Sequence, residues 1–215
     1  MSFLRDGYGQ VEPTQLSAQK TGQIYASLPL DENVQVLQNG EFMFYDYANG
    51  SVNSGKDGSA AGEVKTMGEP MLVFNEIKLY EPFWRTSYKD FAMIRKGDNY
   101  VTSKLATADY GDGSTTQGVA ANPAHPDYPY RMNGIAPRLF KTNVGDLLVT
   151  NMVEDTGKTI TYAVGDKLVP TENTTTHTLR LKRDNTATTG MIWVVVNAAI
   201  GMPDGQDGLK LQRVQ

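Results

Sequence analysis

Side chains that carry out acid–base and nucleophilic chemistry are scarce in this chain of 215 residues. It contains two histidines, His125 and His177, and no cysteine. His125 lies in the run NPAHPDYPY and His177 in a threonine-rich segment, and no G-x-S-x-G motif is present. A Ser-His-Asp triad is recognised by geometry and not by spacing, so the sequence offers no specific evidence for one. Two histidines without cysteine also argue against a zinc site.

One segment resembles a phosphate-binding loop. Residues 50–57, GSVNSGKD, fit the spacing G-x-x-x-x-G-K, but Asp57 occupies the position that requires serine or threonine. That hydroxyl binds Mg²⁺, and a carboxylate in its place repels phosphate. The next residues, GSAAGEV, do not predict the helix whose N-terminus would face the anion. We therefore expect no nucleotide, no other cofactor and no catalytic metal, and leave open a surface Ca²⁺ or a bound glycan.

The overall composition excludes two classes of partner. The net charge is −4 and no block of Lys or Arg is present, whereas a nucleic-acid-binding protein needs a basic surface. No apolar run approaches the roughly 18 residues that span a membrane. The N-terminal residues also have no apolar stretch of the signal-peptide type. We expect a protein that contacts neither nucleic acid nor membrane.

Short apolar runs between Gly, Asn, Asp and Pro predict an all-β fold, a small barrel or sandwich. Asn39-Gly40 predicts a type I′ hairpin between two strands, and the apolar residues after it, 42–47, alternate on both faces of a strand. That pattern implies burial on both sides or a partner on one. Further strands are predicted at 69–82, at 177–184 with Arg180 and Lys182 on an exposed face, and at 189–201, which we expect to be central. Residues 88–105 predict either a strand pair or a short helix and turn, and the C-terminal tail predicts a last edge strand.

Two near-copies of V-G-D-x-L-V occur twenty residues apart, in TNVGDLLVTN (142–151) and YAVGDKLVPT (162–171). Glycine provides a bend or a positive φ, and aspartate can bond to the nearby backbone. The spacing suits successive strands of a small barrel or sandwich. We interpret both copies as strand starts and not as catalytic motifs.

Two regions are candidates for contact with other proteins. Residues 1–30 have no sustained period and are predicted to be an extended N-terminal arm, which either docks or is a frayed terminus. The remaining residues, 31–215, are predicted to be one β domain with a long loop insertion at about 106–137. The apolar groups of the arm would dock on its own domain or on a neighbour, and the loop tyrosines are either contact residues or packed on their own sheet. The candidate partner contacts are Phe3, Leu4, Tyr8, Tyr128 and Tyr130.

Four segments together resemble a family of virion structural proteins of tailed bacteriophages. They are TGQIYASLPLDENVQVLQNGEFMFYDYANG, GEPMLVFNEIKLYE, YKDFAM and PRLFKTNVGDLLVTN, distributed between residues 21 and 151. Proteins of this family are minor or auxiliary capsid proteins without catalytic residues to transfer. The resemblance implies a non-enzymatic virion protein, made in the cytoplasm of the host bacterium and located on the head surface.

The resemblance and the residues lead to one expected function and one alternative. We expect an auxiliary or decoration protein that binds the major capsid protein or other virion proteins and stabilises the capsid, as a homo-oligomer in the particle. Weak contacts repeated over a lattice are sufficient for such binding. The alternative is a receptor- or glycan-binding module of a tail or head fibre, with its site at the 106–137 loop. A cell-wall-degrading enzyme has no residue set to support it.

Overall fold

The structure, a computed structural model, describes most of both ends of the chain and little of its middle. The described residues are 9–31, 33–34, 36–47, 50–55, 68–75, 78–79, 89–90, 93–95, 136–154, 161–202 and 206–215.

Within these residues the chain forms fifteen strands and one short helix. The elements before residue 100 are β1 (Val11–Gln15), α1 (Ser17–Thr21), β2 (Ile24–Tyr25), β3 (Val36–Gln38), β4 (Phe42–Asp46), β5 (Ser51–Asn53), β6 (Met71–Val73), β7 (Lys78–Leu79), β8 (Lys89–Asp90) and β9 (Met93–Arg95). The later elements are β10 (Leu139–Phe140), β11 (Leu147–Thr150), β12 (Lys167–Asn173), β13 (Thr178–Arg183), β14 (Trp193–Gly201) and β15 (Asp207–Arg213).

The predicted all-β class is confirmed. One antiparallel sheet follows the order β1-β11-β15-β14-β12-β13-β4-β6-β10-β2, with β5 paired to β4, and it curls into a half-barrel. Two smaller pairs, β3 with β9 and β7 with β8, lie outside this sheet. Three pairs in this sheet, β4–β5, β12–β13 and β14–β15, join consecutive strands, whereas its other neighbours are not consecutive in sequence and pair through tertiary contacts.

Strand β4 is buried on both faces, as its double apolar pattern predicted. Phe42 and Phe44 belong to the larger apolar cluster, which also contains the buried indole of Trp193. Met43 and Tyr45 belong to a second cluster on the opposite face, with Leu30, Val34, Leu37, Val52, Val73 and Leu139. Successive side chains of a strand point to opposite faces, so β4 separates two apolar cores.

The N-terminal segment joins the sheet from Val11 onward, because strands β1 and β2 lie within the range 1–30 that was predicted as an arm. Strand β1 pairs with β11, and β2 pairs with β10. Leu16 and Ala18 are buried in the larger cluster. The apolar groups of this segment therefore dock on their own domain, which was one of the two alternatives. Phe3, Leu4 and Tyr8 lie outside the described residues.

The predicted hairpin at Asn39-Gly40 is wrong, although the turn is present. Gly40 has a φ of 88°, while Asn39 is not among the described non-glycine residues with positive φ. A type I′ turn needs positive φ at both positions, and this turn has it at the second alone, as in type II. Type II turns splay their flanking strands. Accordingly β3 pairs with β9 and β4 pairs with β5, β6 and β13.

The two V-G-D copies form the same turn. Gly145 and Gly165 have φ of 97° and 95°. In each copy the Asp carboxylate accepts the N–H of the residue three positions earlier at 2.9 Å, and the Asp N–H donates to the carbonyl of that same residue. Strands β11 and β12 begin directly after Asp146 and Asp166. The prediction that both copies are strand starts is confirmed.

A local two-fold axis relates the two turns through the central strands. Gly145 donates its N–H to the carbonyl of Arg213 on β15, and Gly165 donates to the carbonyl of Val195 on β14. Strands β14 and β15 pair with Val194 opposite Gln212. A two-fold rotation about the Val194–Gln212 pair exchanges β14 with β15. It also exchanges β12 with β11, because Lys167 of β12 pairs with Val194 and Leu147 of β11 pairs with Gln212. The sequence repeat is therefore a repeat of architecture.

The remaining strand predictions have mixed outcomes. Strand β14 is central as predicted, but β15 is not an edge strand, because it pairs with β11 on one side and β14 on the other. The single strand predicted at 69–82 contains two short strands, β6 and β7, that belong to different sheets. In 88–105 the described residues 89–90 and 93–95 are strands and not a helix, and the predicted turn at 96–98 lies outside the described residues. The loop-like motif at 50–57 begins with strand β5, and Lys56 and Asp57 are not described.

Candidate functional site

The structure does not test the predicted partner contacts. Phe3, Leu4, Tyr8, Tyr128 and Tyr130 all lie outside the described residues, as does His125. Of the loop predicted at 106–137, residues 136 and 137 alone are described. These contacts stay predictions, and the sites below are built from other residues.

His177 lies in the turn of the β12–β13 hairpin, beside an acidic side chain. Its φ of 53° makes it the one described non-glycine residue with positive φ, and its N–H donates to the carbonyl of Asn173 at 2.8 Å. His177 Nδ1 lies 3.8 Å from Oε1 of Glu172. The hydroxyl of Ser54, just after β5, donates to the same oxygen at 3.3 Å. A strained residue beside titratable groups is a natural place to look for chemistry.

The order of the three side chains does not activate a nucleophile. In a hydrolase triad the histidine lies between the serine and the carboxylate, so that it can remove the hydroxyl proton. Here the carboxylate of Glu172 lies between Ser54 and His177. These contacts instead hold the turn of the hairpin against the end of β5.

A second polar cluster is buried next to the junction of β13 and β4. Glu41 has no exposed surface, and Arg180 and Thr178 are also buried. Oε1 of Glu41 accepts from Arg180 Nε at 2.9 Å and from the Thr178 hydroxyl at 2.8 Å. Its other oxygen, Oε2, accepts the backbone N–H of Gln38 at 2.8 Å. We call these four residues the Glu41 cluster. Arg180 was expected on the exposed face of its strand, and that expectation is wrong because its side chain is buried and bonded to Glu41.

The electrostatics of the Glu41 cluster are dominated by burial. Loss of hydration raises the pKa of Glu41 above its ordinary value of 4.5, and the positive charge of Arg180 opposes this shift. Hydrogen bonds from Gln38, Thr178 and Arg180 oppose it further without cancelling it. The folded protein therefore binds a proton at Glu41 more readily than the unfolded chain does.

Arg213 makes another buried connection between distant segments. Nη2 of its guanidinium contacts Oε1 of Glu69 at 2.7 Å, and Nη1 donates to the hydroxyl of Thr142 at 3.0 Å and also to its carbonyl. Nε donates to the carbonyl of Gln215 at 2.9 Å. Glu69 precedes β6 and Thr142 follows β10, so this side chain fixes the end of β15 to the β6–β10 part of the sheet.

Three tyrosines form a row that ends at the surface. The rings of Tyr25 and Tyr45 are 5.3 Å apart, and those of Tyr45 and Tyr47 are 5.0 Å apart in an edge-to-face arrangement. Ser27 donates its N–H to the Tyr45 hydroxyl at 3.1 Å. Tyr47 is 73% exposed, whereas Tyr45 is buried. The Tyr47 ring packs against Tyr45 on one side and is exposed to solvent on the other, so it is a suitable contact for a sugar ring or another protein.

No group of three His, Cys, Asp or Glu side chains within the described residues is arranged to hold a metal ion. No helix in those residues is long and apolar enough to cross a membrane. Comparison of the chain with protein-family models, curated proteins and solved structures found no match.

Sequence reasoning did not find the Glu41 cluster or the contacts of Arg213. Glu41 and Arg180 are 139 positions apart, and Arg213 and Glu69 are 144 apart. Neither pair has a local spacing signal. The one indication in the sequence was Arg180 between two leucines of a strand, and that pattern is equally compatible with an exposed arginine.

Proposed function

We propose that this chain is a non-enzymatic structural protein of a tailed-bacteriophage particle, an auxiliary or decoration protein that binds and stabilises the capsid. Its partners would be the major capsid protein or other virion proteins, with further copies of this chain. Binding to assembled capsid, and not to partly opened capsid, stabilises the closed particle by mass action.

The observation that carries the proposal is how the polar side chains of the described residues are used. Glu41, Arg180, Arg213 and Glu172 all form contacts that tie one strand or turn to another. In the cluster most like a catalytic site, the carboxylate separates serine from histidine. Such a β scaffold, held by internal ion pairs, suits a particle component that must keep its shape.

The proposal is tested on particles made without this protein. Complete particles, particles lacking the protein and particles with purified protein added back should be compared for loss of DNA on heating and at low salt. We expect the particles without the protein to open at lower temperature, and added protein to restore the complete-particle value. Equal resistance in all three preparations would exclude a stabilising role.

The predicted contacts are tested in the same add-back assay. Replacing Phe3, Leu4 and Tyr8 together by serine should reduce the number of copies bound per particle. The matched control is replacement of the exposed residues Val144 and Val164 by serine. If both variants bind like the unchanged protein, these N-terminal residues are not the contact.

A second candidate function is a receptor- or glycan-binding module, and the exposed ring of Tyr47 is the observation that favours it. Purified protein should then bind host cells or isolated host polysaccharide. Tyr47→Ala, or replacement of Tyr128 and Tyr130 by alanine, should abolish binding, while Val164→Ala should not. Absence of binding by the unchanged protein would remove this candidate.

A further inference from the structure

The large sheet has one narrow junction. Strand β13 pairs with β4 through one residue pair, Leu179 with Phe42, whereas every other junction between the described strands of this sheet has at least two. We call the β13–β4 junction the seam. It divides the sheet into a first half with β1, β11, β15, β14, β12 and β13, and a second half with β4, β5, β6, β10 and β2.

The Glu41 cluster lies directly at the seam. Because Leu179 is opposite Phe42, Arg180 is next to Glu41 across the junction, and Thr178 is diagonal to it. The contacts of Glu41 with these two residues therefore flank the one residue pair of the seam. The charge on Glu41 is the negative end of a buried ion pair that crosses from one half of the sheet to the other.

We propose that the Glu41 cluster is a proton-operated device that controls opening of the seam in the folded protein. With Glu41 ionised, Arg180 has a buried counter-charge and β13 is held to β4 at the seam. With Glu41 neutral, Arg180 is a buried cation without a counter-charge, which is strongly unfavourable. Its side chain then moves to water while Glu41 stays buried, and the ion pair across the seam is lost.

The surrounding hydrogen bonds provide a place for the added proton. Thr178 Oγ1 lies 2.8 Å from Glu41 Oε1 and 2.8 Å from Thr176 Oγ1, and either threonine can be the donor in the second pair. When Oε1 carries the proton, its O–H can donate a hydrogen bond to the Thr178 hydroxyl, and the Thr178 hydroxyl then donates to the Thr176 hydroxyl in the hairpin turn. Gln38 continues to donate to Oε2 in either state.

Other charged groups on the hairpin do not take the place of Arg180. Arg180 is the charged residue that acts on Glu41, and the remaining partners, Gln38 and Thr178, are neutral. Glu172 is opposite Leu179 and so lies on the other face of the sheet, where it faces His177 and Ser54. Because the pKa of Glu41 is raised while the pKa values of Asp166 and Asp184 are lowered, Glu41 takes up its proton at a higher pH than these two carboxylates.

Hydrogen exchange of the intact protein tests the proposal. Exchange of the backbone amides of residues 41–43 and 178–180 should be followed from neutral pH down to just above 4.5, the ordinary pKa of glutamate. The observed rates are corrected for the pH dependence of intrinsic amide exchange. We expect protection at these amides to fall at least tenfold, while protection along β14 and β15 is unchanged. Glu41→Gln should show the low protection already at neutral pH and no further change on acidification. Thr178→Val keeps Glu41 and removes the hydroxyl that bonds to it, so it should change the pH at which protection falls.

The matched control is Glu172→Gln, which removes a glutamate from the opposite face of the same hairpin and should retain the wild-type transition. Isotope-edited infrared spectroscopy of the wild type measures protonation of glutamate directly, so the test does not depend on the folding of any variant. The proposal is overturned if seam protection is constant over this pH range. It is equally overturned if no glutamate protonates before global unfolding, or if Glu41→Gln keeps the wild-type transition.

Discussion

The two V-G-D turns have the same geometry but different surroundings, and this difference predicts unequal effects of the same mutation. Asp146 is buried, and its carboxylate accepts from the N–H of Asn143 and from both the N–H and the hydroxyl of Ser17, at the start of α1. Asp146→Ala leaves two backbone donors without acceptors in a partly buried site. Each such donor costs about 1–3 kcal/mol, so we expect a loss of about 3 kcal/mol in the free energy of unfolding.

Asp166→Ala removes fewer buried interactions. The donors to Asp166 are the N–H of Ala163 and the side-chain amide of Asn185, and Arg183 Nη1 lies 3.5 Å from Oδ2, in an exposed turn where water can replace the carboxylate. We expect a loss of about 1 kcal/mol. Asp146→Asn is the control at the buried site, because the amide keeps one acceptor oxygen, and it should cost less than Asp146→Ala.

Urea denaturation measures all three variants. The expected difference of about 2 kcal/mol between the two alanine variants corresponds to a midpoint difference of about 1 M, with the slope unchanged. Equal losses at the two sites, or a larger loss at Asp166, would show that the buried bonds of Asp146 do not carry the stability assigned to them here.

Three further predictions concern the turns, the acid response and the core. In Gly145→Ala and Gly165→Ala the added Cβ has no atom within 4 Å, but alanine must adopt a positive φ, so each should lower the free energy of unfolding in urea by about 1–2 kcal/mol. Gly201→Ala is the control, because its Cβ also has no atom within 4 Å and its φ is not positive. Burial acts to raise the pKa of Asp166, but hydrogen bonds from Ala163 and Asn185 and the charge of Arg183 lower it overall. The ionised Asp166 therefore contributes to stability above pH 3.8, its ordinary pKa, and this contribution is lost as the pH falls through the lowered pKa of the folded protein. In Asp166→Asn the free energy of unfolding should fall less steeply on the acid side, and a curve like that of the wild type would contradict this assignment. Phe42→Ala, at the seam and 6.0 Å from the Trp193 ring, should cost about 3–5 kcal/mol, whereas Tyr47→Ala at the exposed end of the tyrosine row should cost under about 0.5; comparable losses would refute the burial argument.

Features that depend on neighbouring residues could be predicted from the sequence. In each V-G-D turn, glycine provides the positive φ and aspartate bonds to a residue three positions away, so both copies indicate a strand start without tertiary information. The β-branched run around Trp193 indicated a central strand for the same reason. The double apolar pattern of residues 42–47 indicated burial on both faces of β4.

Features set by distant partners could not be predicted. Asn39-Gly40 is compatible with type I′ and type II turns, and the choice is made by the sheet to which each flanking strand belongs. Strand β1 contains Pro13 and has no alternating pattern, and its pairing depends on β11, well over a hundred residues away. The Glu41–Arg180 pair likewise depends on the meeting of β4 with β13, which no local spacing encodes.

The most direct measurement of the proposed function is a cryo-electron microscopy map of the intact phage particle. The account predicts density for this β half-barrel in many symmetry-related copies on the head surface, in contact with the major capsid protein. Mass spectrometry of the same purified particles should detect the chain at a matching copy number. A map without such density, from particles in which the chain is not detected, would contradict the assignment of this protein to the virion.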